Sequence, residues 1–181
     1  MIKKIIQKIS PKKQVWAGDA LVAWARYSNL HKDQWIYTQG PTRFVDLRTP
    51  FASPITADCS SALTYWFYWA GITMDPNGLG YNGYGYTGTL LSNGTKIDKS
   101  SVAPGDVVVY GEGTGEHTAL VVEVHGPDIL TISHGDSKGP CYVWVSKPTT
   151  VPSKRLGVDG RTPVTYLRFN KMASRPVFPP A

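Results

Sequence analysis

The sequence predicts an α+β domain, with N-terminal helices packed on an antiparallel sheet of about five or six strands, and three observations carry that reading. Apolar residues fall at helical spacing over Asp19 to Leu30 and again from Cys59 onward. β-rich runs fill the second half, at 107–110, 117–122, 129–134 and 163–168. Turn signals separate them: Ala103-Pro104-Gly105-Asp106, the glycine-rich 111–115 stretch, and Gly126-Pro127.

Taken in order, residues 1–13 form a basic arm with Lys3, Lys4, Lys8, Lys12 and Lys13. Ile2, Ile5, Ile6 and Ile9 lie on one side of an amphipathic turn or two, which Pro11 ends. Asp19 caps a first helix through Leu30 that packs Leu21, Val22, Trp24 and Ala25. Residues 35–57 read as loop, with Arg43, Asp46 and Arg48 close to a cleft entrance. A second helix starts at Cys59. Ala62, Leu63, Trp66, Phe67 and Ala70 repeat at i+3, i+4, i+7 spacing, Asp58 is the N-cap, and Gly71 the C-terminal stop. Residues 75–94, dense in Gly, Asn and Tyr, read as a long loop: either a tyrosine-lined groove for sugar or peptide, or a packed Ω-loop. The main domain spans 14–170, and 171–181 is an extended, Pro-containing tail with the composition of a disordered segment.

Cys59, at a helix start, is the candidate nucleophile. A thiol reacts as thiolate, which a helix N-terminus or a neighbouring imidazolium favours. The same pattern also fits a buried cysteine serving as a small hydrophobe, because Cys59 lies on the core stripe. Two histidines bear on the choice. Period two sets His117 on the face of Ala119 and Val121, and His134 on the face of Leu130 and Ile132. Two adjacent antiparallel strands would present both imidazoles on one side of the sheet, where the Cys59 helix could pack. The constellation reads as a cysteine-nucleophile hydrolase.

Four segments in this order resemble the NlpC/P60 peptidases, a papain-like family of cell-wall hydrolases. Asp58-Cys59-Ser60-Ser61 is similar to the nucleophile motif Asp-Cys-Ser-Gly, and Pro104-Gly105-Asp106-Val107-Val108-Val109 to the Pro-Gly-Asp strand. Glu116-His117-Thr118-Ala119-Leu120-Val121 is similar to the His-Val-Gly-Ile-Tyr strand bearing the base, and Ser133-His134-Gly135 to the strand bearing the third, orienting residue. Upstream, Tyr37-Thr38-Gln39-Gly40 resembles the segment whose tyrosine helps form the oxyanion site. The stretch 133–140 looks most like peptidase domains of phage endolysins. Ser61 stands where the family has glycine, Thr118-Ala119 where it has Val-Gly, and the gap from Tyr37 to Cys59 is longer. The resemblance implies a papain-like fold over 14–170, with Cys59 as nucleophile, His117 as base, and His134 fixing the His117 tautomer. Asp58 supports the site, and the Cys59 N–H with the Tyr37 hydroxyl holds the oxyanion.

Other residues carry weaker readings. His125, beside Gly126-Pro127, is an exposed turn histidine, and His31 a polar residue ending the first helix. Cys59, His117 and His134 could instead ligate zinc, although no Cys-x-x-Cys or His-x-x-x-His pair accompanies them, and no metal or cofactor is expected. Cys141 could pair with Cys59 outside the cell. Asp136 is a substitute orienter, on a less rigid loop.

Composition sets the outer bounds. With 181 residues the chain can bury a core without metal or disulfides. The net charge of +6 points to an anionic partner. With the resemblance, that partner is bacterial peptidoglycan and its anionic polymers rather than nucleic acid, and the protein a monomer. No apolar stretch reaches membrane-spanning length, and lysines interrupt any signal-peptide core at 1–9, as expected for a lysin held in the host cytoplasm until membrane breach, or for a virion component. The implied function is a peptidoglycan hydrolase cutting a stem-peptide amide, such as that between D-glutamate and the diamino acid. An N-acetylmuramoyl-L-alanine amidase with the same site, a non-catalytic wall-binding module, and a cysteine acyltransferase or thioester hydrolase remain as alternatives.

Overall fold

In the computed structural model, residues 14–51, 54–145, 157–158 and 160–181 are described; the basic arm at 1–13 lies outside them. Along the chain come β1 (Val15–Trp16), α1 (Gly18–Leu30), β2 (Trp35–Tyr37), β3 (Ile55–Ala57), α2 (Cys59–Trp69), α3 (Thr87–Asn93), β4 (Thr95–Ile97), β5 (Val107–Tyr110), β6 (His117–His125), β7 (Asp128–Ser133), β8 (Cys141–Trp144), β9 (Gly157–Val158), β10 (Val164–Arg168) and β11 (Met172–Ala173).

The main sheet runs β4-β10-β5-β6-β7-β8-β9. Its first six strands are antiparallel, as the short turns between apolar runs predict, and β9 adds in parallel to β8. Alternation along the strands splits the core in two. Val107, Val109, Leu120, Val122, Leu130 and Ile132 pack with the helices, whereas Val108, Tyr110, Ala119, Val121 and Ile129 form a separate cluster. α2 is buried on every side, with the hydroxyls of Ser60, Ser61 and Thr64 hydrogen-bonded within its own turns and cap; only Tyr68 is partly exposed. α1 lies against it through a buried stripe of Ala20, Leu21, Trp24, Ala25 and Ser28. The Ser28 hydroxyl accepts from Trp66 Nε1 at 2.9 Å, so this buried polar group is satisfied.

Four sequence expectations change. α1 begins at Gly18 with Ala17 at its N-cap, so Asp19 sits inside the first turn, where its charge faces the positive helix end. The 35–57 stretch is not simply loop, because β2 and β3 pair in parallel, with Tyr37 opposite Ala57. The 75–94 loop ends in α3. The tail also has a fixed place: β11 pairs with β1, the Val177 N–H donates to the Ala70 carbonyl at 3.1 Å, and Trp24 Nε1 donates to the Val177 carbonyl at 2.8 Å. Main-chain pairing orders the tail where composition predicts disorder, so the folded unit runs past residue 170.

Candidate active site

The site is built around the first turn of α2. Asp58 caps the helix: its Oδ1 accepts from the Ser61 N–H at 2.8 Å, while Ser61 Oγ accepts from the Asp58 N–H at 2.8 Å. Ser61, the residue that departs from the family's glycine, thus completes a capping box. Asp58 Oδ1 also accepts from Ser60 Oγ at 2.9 Å, and Oδ2 is paired with Arg43. Arg43 Nη2 then donates to the Gly85 carbonyl at 2.6 Å, tying the helix start to the glycine- and tyrosine-rich segment. A carboxylate engaged through both oxygens fixes the start of the helix.

Cys59 is 9% exposed. Burial, reinforced by the Asp58 carboxylate, pushes its thiol up from the ordinary 9.0 to about 11, against the opposing main-chain N–H groups of Thr118, Ser60 and Cys59 itself. The sequence expectation of a thiol lowered by the helix N-terminus is reversed, because desolvation outweighs the helix end. The resting thiol lies against the main chain of Thr118, the residue that follows His117 in β6.

His117 opens β6, is nearly fully buried, and stacks on Tyr110 with ring centroids 5.8 Å apart. Its Nε2 is hydrogen-bonded to Ser133 Oγ at 3.1 Å. Gly135 lies against the same ring: a Cβ there would come within 2.9 Å of His117 Cε1. His134 does not hold His117. It falls just past β7, and no hydrogen bond joins its ring to His117. Strand register is the reason. Leu120 lies opposite Ile132 and Val121 opposite Thr131, so the His117-Ala119-Val121 face coincides with the face of Thr131 and Ser133, and His134 belongs to the other. His134 instead packs edge-on to Trp35 and Tyr37, each at 5.5 Å. Its burial lowers its pKa, partly opposed by the nearby main chain of Ile36 and Gly139 and the carboxylates of Asp136 and Asp58.

The long gap between Tyr37 and Cys59 does not separate them. The β2–β3 pair returns the chain so that Tyr37 stands beside Ala57, two residues before Cys59. Burial first, then the neighbouring Cys59, raises the Tyr37 pKa, which keeps the phenol protonated. Gln39 Nε2 donates to the Tyr37 oxygen at 3.0 Å, leaving the hydroxyl proton to be donated elsewhere.

The remaining candidates lie apart. Asp136 Oδ1 accepts from the Lys138 N–H at 2.8 Å and His125 pairs with Glu123 at 2.8 Å, while the His31 ring lies tilted against Tyr27 at the end of α1. Both cysteines are free thiols. Among the described residues no three His, Cys, Asp or Glu side chains converge as a metal set, and no helix is long and apolar enough to cross a membrane. Arg48 is exposed; Asp46 is buried and accepts from the Thr56 N–H at 3.0 Å. Ser133 and Gly135 escaped sequence reasoning as site residues. The only signal was their adjacency to His134.

No family model matches the chain. Among curated proteins, the peptidoglycan endopeptidase RipA of Mycolicibacterium smegmatis is 31% identical over 81 residues, which is 45% of this chain and 14% of RipA. The chain therefore spans only a small part of that relative's length. Among solved structures, a mutant of the resuscitation promoting factor interacting protein RipA superposes with a TM-score of 0.48 at 16% identity, over 86% of this chain and 64% of the other. The P60 domain of an antigen from M. avium subspecies paratuberculosis gives 0.45 at 19% identity, over 83% and 96%. The peptidoglycan hydrolase RipB of Mycobacterium tuberculosis gives 0.43 at 16%, over 83% and 65%.

Proposed function

We propose that this chain is an NlpC/P60-type cysteine peptidase that hydrolyses an amide bond in the peptidoglycan stem peptide, with Cys59 as nucleophile and His117 as general base. The reading rests above all on one observation: Cys59 stands at the capped start of α2 against the main chain of Thr118, whose neighbour His117 is fixed by Ser133. The identity to RipA over part of the chain supports it.

A thiol at about 11 is not ionised in advance, so proton transfer accompanies attack. As the Cys59 sulfur bonds to the scissile carbonyl carbon, its proton passes to His117 Nδ1, the nitrogen other than the one on Ser133. The carbonyl oxygen becomes an oxyanion, held by the Cys59 N–H and the Tyr37 hydroxyl; one such donor is worth about 2.7–4 kcal/mol in comparable sites. His117 then returns the proton to the departing amine as the C–N bond breaks, leaving a thioester on Cys59. Water, deprotonated by His117, cleaves that thioester and restores the thiol. The 133–140 stretch favours a phage lysin, and the bond between D-glutamate and the diamino acid is the one proposed.

Mass spectrometry of fragments released from purified sacculi of differing stem-peptide chemistry, comparing wild type with Cys59→Ala, tests the reading. New termini at a stem-peptide bond, formed by wild type alone, are expected. Termini at the muramoyl–alanine amide would make the protein an amidase. Release by Cys59→Ala, or none by either protein, would overturn the assignment.

A further inference from the structure

The segment Tyr84-Gly85-Tyr86 joins the two halves of the site. Through the Gly85 carbonyl it is bonded to Arg43, which holds the Asp58 cap of α2. Just beyond it, Thr87 Oγ1 donates at 3.1 Å to the carbonyl of Gly115, two residues before His117. The segment is a strap from the nucleophile's cap to the loop that delivers the base.

It is also rigid. The Asp75 carboxylate accepts from the N–H groups of Asn77, Leu79 and Tyr81, and Asn77 Nδ2 donates to Thr64 Oγ1 on α2 at 2.9 Å. Gly85, at φ +134°, rests on Asn77 so closely that a Cβ would come within 2.3 Å of it. The Tyr86 ring lies over Gly88, where a Cβ would collide at 2.4 Å, and Asn82 Oδ1 accepts from the Tyr84 N–H at 3.0 Å. Yet Tyr84 is 70% exposed and Tyr86 48%. These ordered aromatics serve the core little.

Each tyrosine walls a hollow. Tyr84 borders one of about 460 Å³ with Gln39, Arg43 and Asn82; Tyr86 borders one of about 560 Å³ with Lys96, Glu112 and Thr114. In the first, the Arg43 charge is met by Asp58; in the second, Lys96 and Glu112 offset each other. Neither hollow has the net charge that would select a carboxylate or ammonium group. An exposed aromatic face beside amide, hydroxyl and balanced charged groups suits a pyranose, whose C–H face stacks on the ring while its hydroxyl and acetamido groups hydrogen-bond at the rim.

We infer that the Tyr84–Tyr86 strap is a saccharide-binding subsite that holds amino sugars of the glycan strand while the attached peptide lies at Cys59. The placement of that peptide rests on the peptidase reading above; sugar binding itself does not.

The test is a calorimetric titration of the full chain carrying Cys59→Ala with a peptide-free, β-1,4-linked amino-sugar tetrasaccharide from glycan strands. Saturable binding is expected, weakened about tenfold by Tyr84→Ala and by Tyr86→Ala in the same background, with circular dichroism unchanged. No binding, or binding indifferent to both substitutions, overturns the inference. In parallel, Tyr84→Ala in the active protein should lower kcat/KM about tenfold for a disaccharide-bearing stem peptide and leave the free stem peptide within about twofold. Equal losses on both substrates would assign the strap to the peptide and overturn the saccharide role. If wild type cleaves neither substrate, the peptidase reading fails and the titration still decides the strap.

Discussion

The buried thiol of Cys59 should betray itself in alkylation kinetics. With its pKa at about 11 rather than 9.0, the thiolate fraction below both values is about a hundredfold smaller than for an ordinary cysteine. Iodoacetamide reacts with the thiolate, so the rate at Cys59 should climb about tenfold per pH unit from neutral pH and level off only near pH 11. Peptide mapping by mass spectrometry separates Cys59 from the more exposed Cys141. Limited access slows the absolute rate as well, so the pH at which the rate levels off, about 11 against 9.0 for an ordinary thiol, is the diagnostic quantity. A plateau near neutrality would refute the reasoning, because it would show a thiolate–imidazolium pair formed before substrate arrives. Stability gives an independent check. The folded value lies above the unfolded one, so the unfolded chain loses its proton first between about 9 and about 11, and stability falls as pH rises through that window. Cys59→Ala should remove that loss.

Ser133→Ala removes the partner of His117 Nε2; with a buried neutral hydrogen bond worth about 1 kcal/mol, kcat/KM should fall about fivefold and its pH profile shift, and Ser133→Thr should restore both. Activity of Ser133→Ala within about twofold of wild type across the profile would remove Ser133 from the site. Gly135→Ala pushes a methyl group against His117, and is expected to lower kcat about tenfold while Tm, followed by calorimetry, drops by only a few degrees. His134 has a lowered pKa in the folded protein, so the unfolded chain takes up a proton first as pH falls below about 6.5 and stability declines there. In a plot of Tm against pH, His134→Phe should flatten that acid limb; an unchanged limb would place the acid sensitivity elsewhere.

The start of α2 was legible because its signals are local: Asp58 to cap, apolar residues at helical spacing, Gly71 to stop. The antiparallel strands were legible for the same reason. The partner of His117 was not. Alternation within each strand can be read from sequence, but which face of β7 meets which face of β6 is fixed by Leu120 standing opposite Ile132, a pairing that neither strand records alone. α3 escaped notice because Thr, Gly and Asn are weak helix formers; it is held by Thr87 on Gly115 and by Asn93 on Asn77. The core stripe shows in sequence that Cys59 is buried, but not that burial and the Asp58 carboxylate outweigh the helix end in setting its pKa. Arg43, visible only as a charge near the cleft, proved to be the link between Asp58 and Gly85.

The parallel pairing of β2 with β3 has an engineering meaning. Because Trp35, Ile36 and Tyr37 are zipped to Ile55, Thr56 and Ala57, the chain between them leaves and re-enters the fold at a closed neck. Doubling the length of such an excursion adds only about 0.6 kcal/mol of closure entropy. Within that excursion Asp46, Leu47 and Phe51 pack back onto Thr56, Trp69 and Trp35, so only its exposed side chains, Val45, Arg48 and Thr49, can be exchanged without displacing Tyr37 or Cys59. Substitutions at those positions alter the surface beside Arg43 while the β2–β3 neck stays in place.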